Sequence, residues 1–138
     1  MAKIIKFITV ERDIHINDSS TGEIVKKFRQ LIDSGEIDIN KAILCRIEYI
    51  LISNYIEDGP VKIYFLDGTR VRLNLTAGYG GTGPLDTCKI LKLCGFDFDT
   101  NDILSHQEMV NVKYYKDIDE EYVYQFKTPE GTFEYSGM

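Results

Sequence analysis

The chain has no tryptophan, three prolines, two histidines and three cysteines in 138 residues. Each scarcity argues against a class of protein. Cys45, Cys88 and Cys94 are odd in number and form no CxxC pair, which argues against a disulfide framework and against a zinc site. Each stands among apolar neighbours, where free core cysteines are usually found. A reactive thiol is the alternative, and it would need a base beside it, for which His15 and His106 are the histidines available. No run approaches the roughly 20 apolar residues that span a bilayer. The apolar stretch at the N-terminus is broken by Lys6 and followed by Glu11, Arg12 and Asp13 instead of a small-residue cleavage site, so it reads as a strand and not as a signal peptide. The expected setting is therefore cytoplasmic, without a membrane. Catalytic signatures are missing as well. There is no Gly-x-Ser-x-Gly elbow and no HExxH, and neither histidine has a partner that spacing identifies.

What is present is a core. The sequence is 43% apolar and 12% aromatic, too rich for a disordered chain. At this length about two-thirds of the unfolded surface can be buried, so one domain over residues 1–138 needs no covalent staple. The formal charge is −6, from 22 acidic and 16 basic residues. That balance disfavours non-specific nucleic-acid binding, which depends on neutralising phosphates with basic residues. A basic protein partner fits it better, through steering of the encounter. The same charge also serves plain solubility.

Along the chain, Lys3–Val10 reads as a strand. Ser20 and Glu23 fit a capping box, and Ile24, Val25, Phe28, Leu31 and Ile32 follow at helical spacing up to Gly35. Leu44–Ser53 reads as a strand, although an apolar run of this kind also fits a helix. Asp58-Gly59-Pro60 is a turn. Val61–Leu66 and Arg70–Leu75 flank Asp67-Gly68 as a hairpin, with Val71 and Leu73 alternating against Arg70, Arg72 and Asn74. A helix is expected from Pro84, or just after it, to about Leu93, closed by Gly95. Phe96–Glu108 reads as acidic and irregular, Val110–Tyr115 as a strand, and Tyr122–Lys127 with Thr132–Tyr135 as a hairpin around Pro129-Glu130-Gly131. The expectation is an α+β fold: a mostly antiparallel sheet with two helices packed on it.

Three segments carry candidate chemistry. The glycine-rich stretch lies between a strand and a helix start and suits a phosphate ligand, because glycines let backbone N–H groups approach an anion beside the positive end of a helix. Its candidate ligand residues are Arg70, Arg72, Thr76, Gly78, Tyr79, Gly80, Gly81, Thr82 and Gly83, with Tyr79 placed to stack on a base. The spacing is neither that of a Walker loop nor that of the dinucleotide fingerprint. A tight corner requiring positive φ is the competing explanation. The second segment, Asp97–Glu108, resembles an EF-hand calcium loop, with oxygen side chains at its first, third, fifth and ninth positions and a glutamate at its twelfth. It departs from that pattern where Asp102 replaces the turn glycine and where a strand follows instead of a helix. No metal is expected, and Asp99 or Asn101 is expected to cap a short helical turn. The third is an acidic and aromatic surface made of Asp117, Asp119, Glu120 and Glu121 with Tyr122 and Tyr124, residue types that suit a basic partner.

Three functional readings result. The first is a non-enzymatic binding protein that neutralises or sequesters a partner, of inhibitor, immunity or counter-defence type. The second is a nucleotide- or phosphate-binding module, a sensor or a sponge, that uses the Gly78–Pro84 loop for a phosphorylated small molecule. The third is a small enzyme with the same loop as anion cradle. No cofactor is expected, and the oligomeric state is not legible from the sequence.

Overall fold

The computed structural model describes residues 4–48, 59–76, 81–105, 111–115 and 122–136. Within them the order is β1 (Ile4–Thr9), β2 (Arg12–Ile16), α1 (Thr21–Asp33), a 3-10 turn (Ile39–Lys41), β3 (Ala42–Glu48), β4 (Val61–Phe65), β5 (Thr69–Leu73), α2 (Thr82–Cys94), α3 (Thr100–Ser105), β6 (Asn111–Tyr115), β7 (Tyr122–Thr128) and β8 (Gly131–Ser136). A large sheet runs β2-β5-β4-β3-β6, and a small sheet runs β1-β7-β8. Four strand pairings are antiparallel, and β1–β7 and β2–β5 are parallel. The class is α+β, as the dominance of hairpin signals implied.

Each face of the large sheet is covered by a different layer. Ile16, Ala42, Cys45, Ile47, Val61, Ile63, Phe65, Val71 and Leu73 meet Ile24, Val25, Phe28, Ile90, Leu91 and Cys94 of the helices in the main core. On the opposite face Ile43, Leu44 and Tyr64 meet Ile8, Tyr124 and Phe126 of the small sheet in a second core. A bulge in β3 lets one strand serve both. The register against β4 slips between Ala42 and Leu44, so Ile43 and Leu44 turn to the second core while Ala42 and Cys45 face the main one.

Helix α1 starts at Ser20 as its sequence implied, but not through a capping box. The Ser20 side chain makes no cap bond, and the Asp18 carboxylate instead accepts the Ser20 N–H at 3.0 Å. The helix stops at Ser34, and Gly35 follows at φ 76°. Helix α2 begins at Thr82, two residues ahead of Pro84, and ends at Gly95 in the left-handed conformation. A third helix, α3, occupies part of the segment expected to be irregular.

The larger departure is β2. His15 lies on this strand. After β1 the chain crosses from the small sheet to the large one with no turn. Val10 N–H donates to Lys127 at 2.8 Å, and Glu11 and Arg12 N–H both donate to the Gly68 carbonyl, at 3.0 and 3.3 Å. Gly68, in the β4–β5 turn, has φ 87°, and a Cβ there would sit 2.7 Å from the Thr9 carbonyl oxygen. Glycine is required at this position both for its backbone angle and for its lack of a side chain. No helix among the described residues is long and apolar enough to cross a membrane.

Candidate functional site

The glycine-rich segment is described at its two ends; Gly78, Tyr79 and Gly80 lie outside the described residues. At its base the buried Thr87 hydroxyl donates to the Thr76 carbonyl at 2.6 Å and lies 3.2 Å from the Gly83 carbonyl. This contact ties the end of β5 to the first turn of α2. Gly81 has φ 179°, extended backbone that any residue adopts, so the corner explanation finds no positive φ there. Thr82 opens the helix, and Gly83 is buried in its first turn. Asp86 is also buried. The Thr21 hydroxyl at the start of α1 donates to its carboxylate, and Lys89 pairs with it at 3.2 Å. A fixed negative charge therefore stands near both helix starts, where an anionic ligand would otherwise be drawn.

Arg70 requires a correction. It is 2% exposed, and its guanidinium is taken up by two carboxylates: Asp13, directly opposite on β2, at 2.9 and 3.2 Å, and Glu130, in the β7–β8 turn, at 3.0 and 3.1 Å. Strand alternation places Arg70 on the face covered by the small sheet, so it clamps the two sheets together and presents no donor to a ligand. Burial pushes the Arg70 pKa down, but the hydrogen bonds it donates to Asp13 and Glu130, with one to Tyr64, outweigh burial and raise the pKa above the ordinary value. Burial likewise pushes Asp13 up, yet hydrogen bonds and charge from Arg70 and Arg72 hold its carboxyl below its usual value. The Arg70 hydrogen bonds lower Glu130 too. Arg72 lies one turn of the pleat further on, 17% exposed, with Nε 3.1 Å from Asp13.

The acidic run Asp117, Asp119, Glu120 and Glu121 lies outside the described residues. Tyr122 and Tyr124 share one face of β7, with ring centroids 6.1 Å apart, but in different surroundings. Tyr122 is half-buried under the Lys6 ammonium, 4.6 Å from its ring centroid. Tyr124 is 4% exposed in the second core, so as a partner anchor it is corrected to a core residue. In the segment resembling a calcium loop, the Asp99 carboxylate accepts the Asn101 N–H at 2.9 Å and the Asp99 carbonyl accepts the Asp102 N–H, so the chain winds into α3 there. His106 and Glu108 are outside the described residues, within which no cluster of three or more His, Cys, Asp or Glu is placed to hold a metal. All three cysteines are buried thiols. Burial raises the thiol pKa of Cys45 and of Cys88, which keeps both in the unreactive protonated form.

Among the described residues the most open apolar surface is on β1. Ile4, Lys6 and Ile8 are in register with Tyr122, Tyr124 and Phe126, on the inner face of the small sheet. Ile5 and Phe7 point the other way, beside Val123 and Gln125, and are 52% and 73% exposed; Ile4, at the end of the strand, is 53% exposed. Among the described residues β1 pairs with β7 alone, so its other edge offers backbone donors and acceptors. The sequence signalled a strand here but not an edge, because its parallel partner comes at the far end of the chain. No protein-family model, no curated protein and no solved structure matches this chain.

Proposed function

We propose that this chain is a small non-enzymatic binding protein of the cytoplasm that neutralises or sequesters a basic protein partner, as an inhibitor, immunity or counter-defence protein does. The observation that carries the proposal is the exposure of Ile5 and Phe7 on a strand whose other edge is unpaired among the described residues. Monomeric proteins ordinarily blunt such an edge with charge, proline or a covering element. Here the one charged residue of the strand, Lys6, is turned to the inner face and drawn over Tyr122. The partner's basic character follows from charge. The chain carries −6, and the acidic residues Asp117, Asp119, Glu120 and Glu121 immediately precede Tyr122, which is in register with Ile4. An apolar anchor with acidic residues close to it in the chain matches the arrangement in which buried contacts hold a complex and rim charges speed its formation.

The test is surface plasmon resonance against a partner captured by tagged wild-type protein from its own host. Phe7→Ser should raise the off-rate at least tenfold with little change in on-rate. Neutralising the four acidic residues together should lower the on-rate and flatten its salt dependence. Wild-type kinetics in Phe7→Ser would remove the β1 surface from the mechanism.

A further inference from the structure

The large sheet carries a line of basic residues that the partner-binding role does not use. His15 on β2 is in register with Arg72 on β5, Arg72 with Lys62 on β4, and Lys62 with Arg46 on β3. The line crosses four neighbouring strands, and β6 brings Lys113 into register with Arg46 at its end. Strand alternation puts the side chains of His15, Arg72, Lys62 and Arg46 on the face away from the helices, because Ile16, Leu73, Val61 and Ile47, next to them in the chain, are in the main core. Neighbouring strands lie about 4.8 Å apart, so four basic side chains fall within a span of about 14 Å. Like charges directly opposite one another destabilise a sheet. A chain with an acidic excess has no need of cations to stay soluble, and although Asp13 offsets part of the charge at Arg72, a row of them is a place where a multivalent anion can bind.

Parts of the row are held in place. The Arg46 guanidinium lies 4.2 Å from the centroid of the Phe133 ring at the rim of the small sheet. Asp13 fixes Arg72 through its Nε at 3.1 Å. His15 Nε2 lies 2.9 Å from the Asn74 side-chain oxygen, which also accepts the Gly59 N–H at 2.7 Å. Arg46, Lys62 and His15 are at least partly open to solvent. Arg46, Lys62 and Arg72 also have partners within the chain, and a ligand has to compete with them.

We propose that this row is a binding site for a linear oligophosphate, of the class that includes nucleoside triphosphates. Several linked phosphates, each able to accept from a fork of guanidinium donors or from an ammonium, match cations repeating at strand spacing; a single phosphate spans too little of the line. A nucleic-acid strand is the poorer fit, because a long polyanion is poorly matched to a chain with a formal charge of −6. The row contains no residue of the Gly78–Pro84 segment, and its role does not depend on the partner-binding surface on β1.

Titration of the intact wild-type protein with tripolyphosphate and ATP, followed by 15N–1H correlation spectra and calorimetry, tests this directly. The expected result is binding that weakens with salt, with the largest shifts at the amides of His15, Arg46, Lys62 and Arg72, and orthophosphate at least tenfold weaker. Lys62→Gln should weaken tripolyphosphate about tenfold, while Lys26→Gln, on exposed α1, should not. Because the spectra are read on unmodified protein, a Lys62 variant that fails to fold leaves the test intact. Absence of binding at millimolar tripolyphosphate, shifts centred on Gly81–Gly83 instead of the row, or tighter binding of a single-stranded oligonucleotide than of tripolyphosphate would each overturn the proposal.

Discussion

Replacing Arg70 with methionine should destabilise the protein less than replacing Asp13 with alanine, although Arg70 is the more buried residue. Breaking a buried ion pair costs about 3–5 kcal/mol when the charge left behind stays buried. Asp13→Ala creates that situation. Arg70, 2% exposed, keeps Glu130 and its hydrogen bond with Tyr64, and Arg72 loses its contact at 3.1 Å. The expected cost is about 3 kcal/mol, at the lower end because Glu130 remains. Arg70→Met removes the buried charge itself. The carboxylates it leaves are 27% and 58% exposed, so water reaches both, and Asp13 retains Arg72. Methionine also fills most of the space of the arginine stem, so the expected cost is about 1–2 kcal/mol. Glu130→Ala removes the most exposed of the three groups and should cost about 1 kcal/mol or less. Urea unfolding of the three variants at pH 7, followed by circular dichroism and compared at constant m-value, gives the order. If Arg70→Met proves the costliest, Arg70 stabilises by packing in a way the ion-pair geometry does not capture, and the reasoning fails.

The same cluster sets the acid limit. Asp13 and Glu130 have folded pKa values below their ordinary ones, so their contribution is complete above the unfolded carboxylate pKa of about 4 and is lost as pH falls through the folded values. Melting temperature should therefore decline below about pH 4 in wild type and decline less steeply in Arg70→Met. Thr87→Val should cost about 1–2 kcal/mol by removing the buried hydrogen bond to Thr76, and Thr87→Ser should recover most of it; equal stability of the valine variant and wild type in urea would refute the tie between β5 and α2. Native protein should leave Cys45 and Cys94, 0% and 1% exposed, unlabelled by a thiol reagent that reacts with both after unfolding, and rapid native labelling of either would show that the main core opens.

Much of the architecture was written locally and read correctly for that reason. Asp67-Gly68 between two alternating runs forms the β4–β5 hairpin, Gly95 closes α2, and Glu130-Gly131 turns β7 into β8. What depends on distant partners was not legible. Arg12–Ile16 alternates with too few apolar residues to announce a strand, and it becomes β2 because β5 receives it in parallel register. Tyr124 and Arg70 carry residue types that favour surfaces, and only the small sheet folding over them puts one in a core and the other in a clamp. The basic row is invisible in the linear sequence, since His15, Arg46, Lys62 and Arg72 meet only once four strands are in register.

The parallel pairing of β1 with β7 also bears on the order in which the chain can assemble. Ile4 waits for Tyr122, and Thr9 for Lys127, so β1 leaves the ribosome long before the strand it pairs with. Until then its isoleucines and phenylalanine have no sheet to join. The large sheet and its helices can collapse earlier, through the contiguous β4–β5 hairpin and the packing of α1 on α2. Closing the small sheet then requires a loop of nearly the whole chain, which makes it the slow step. A nascent or truncated chain that lacks β7 would present β1 as an unpaired apolar strand, and such chains should be the ones that chaperones retain and that aggregate when released.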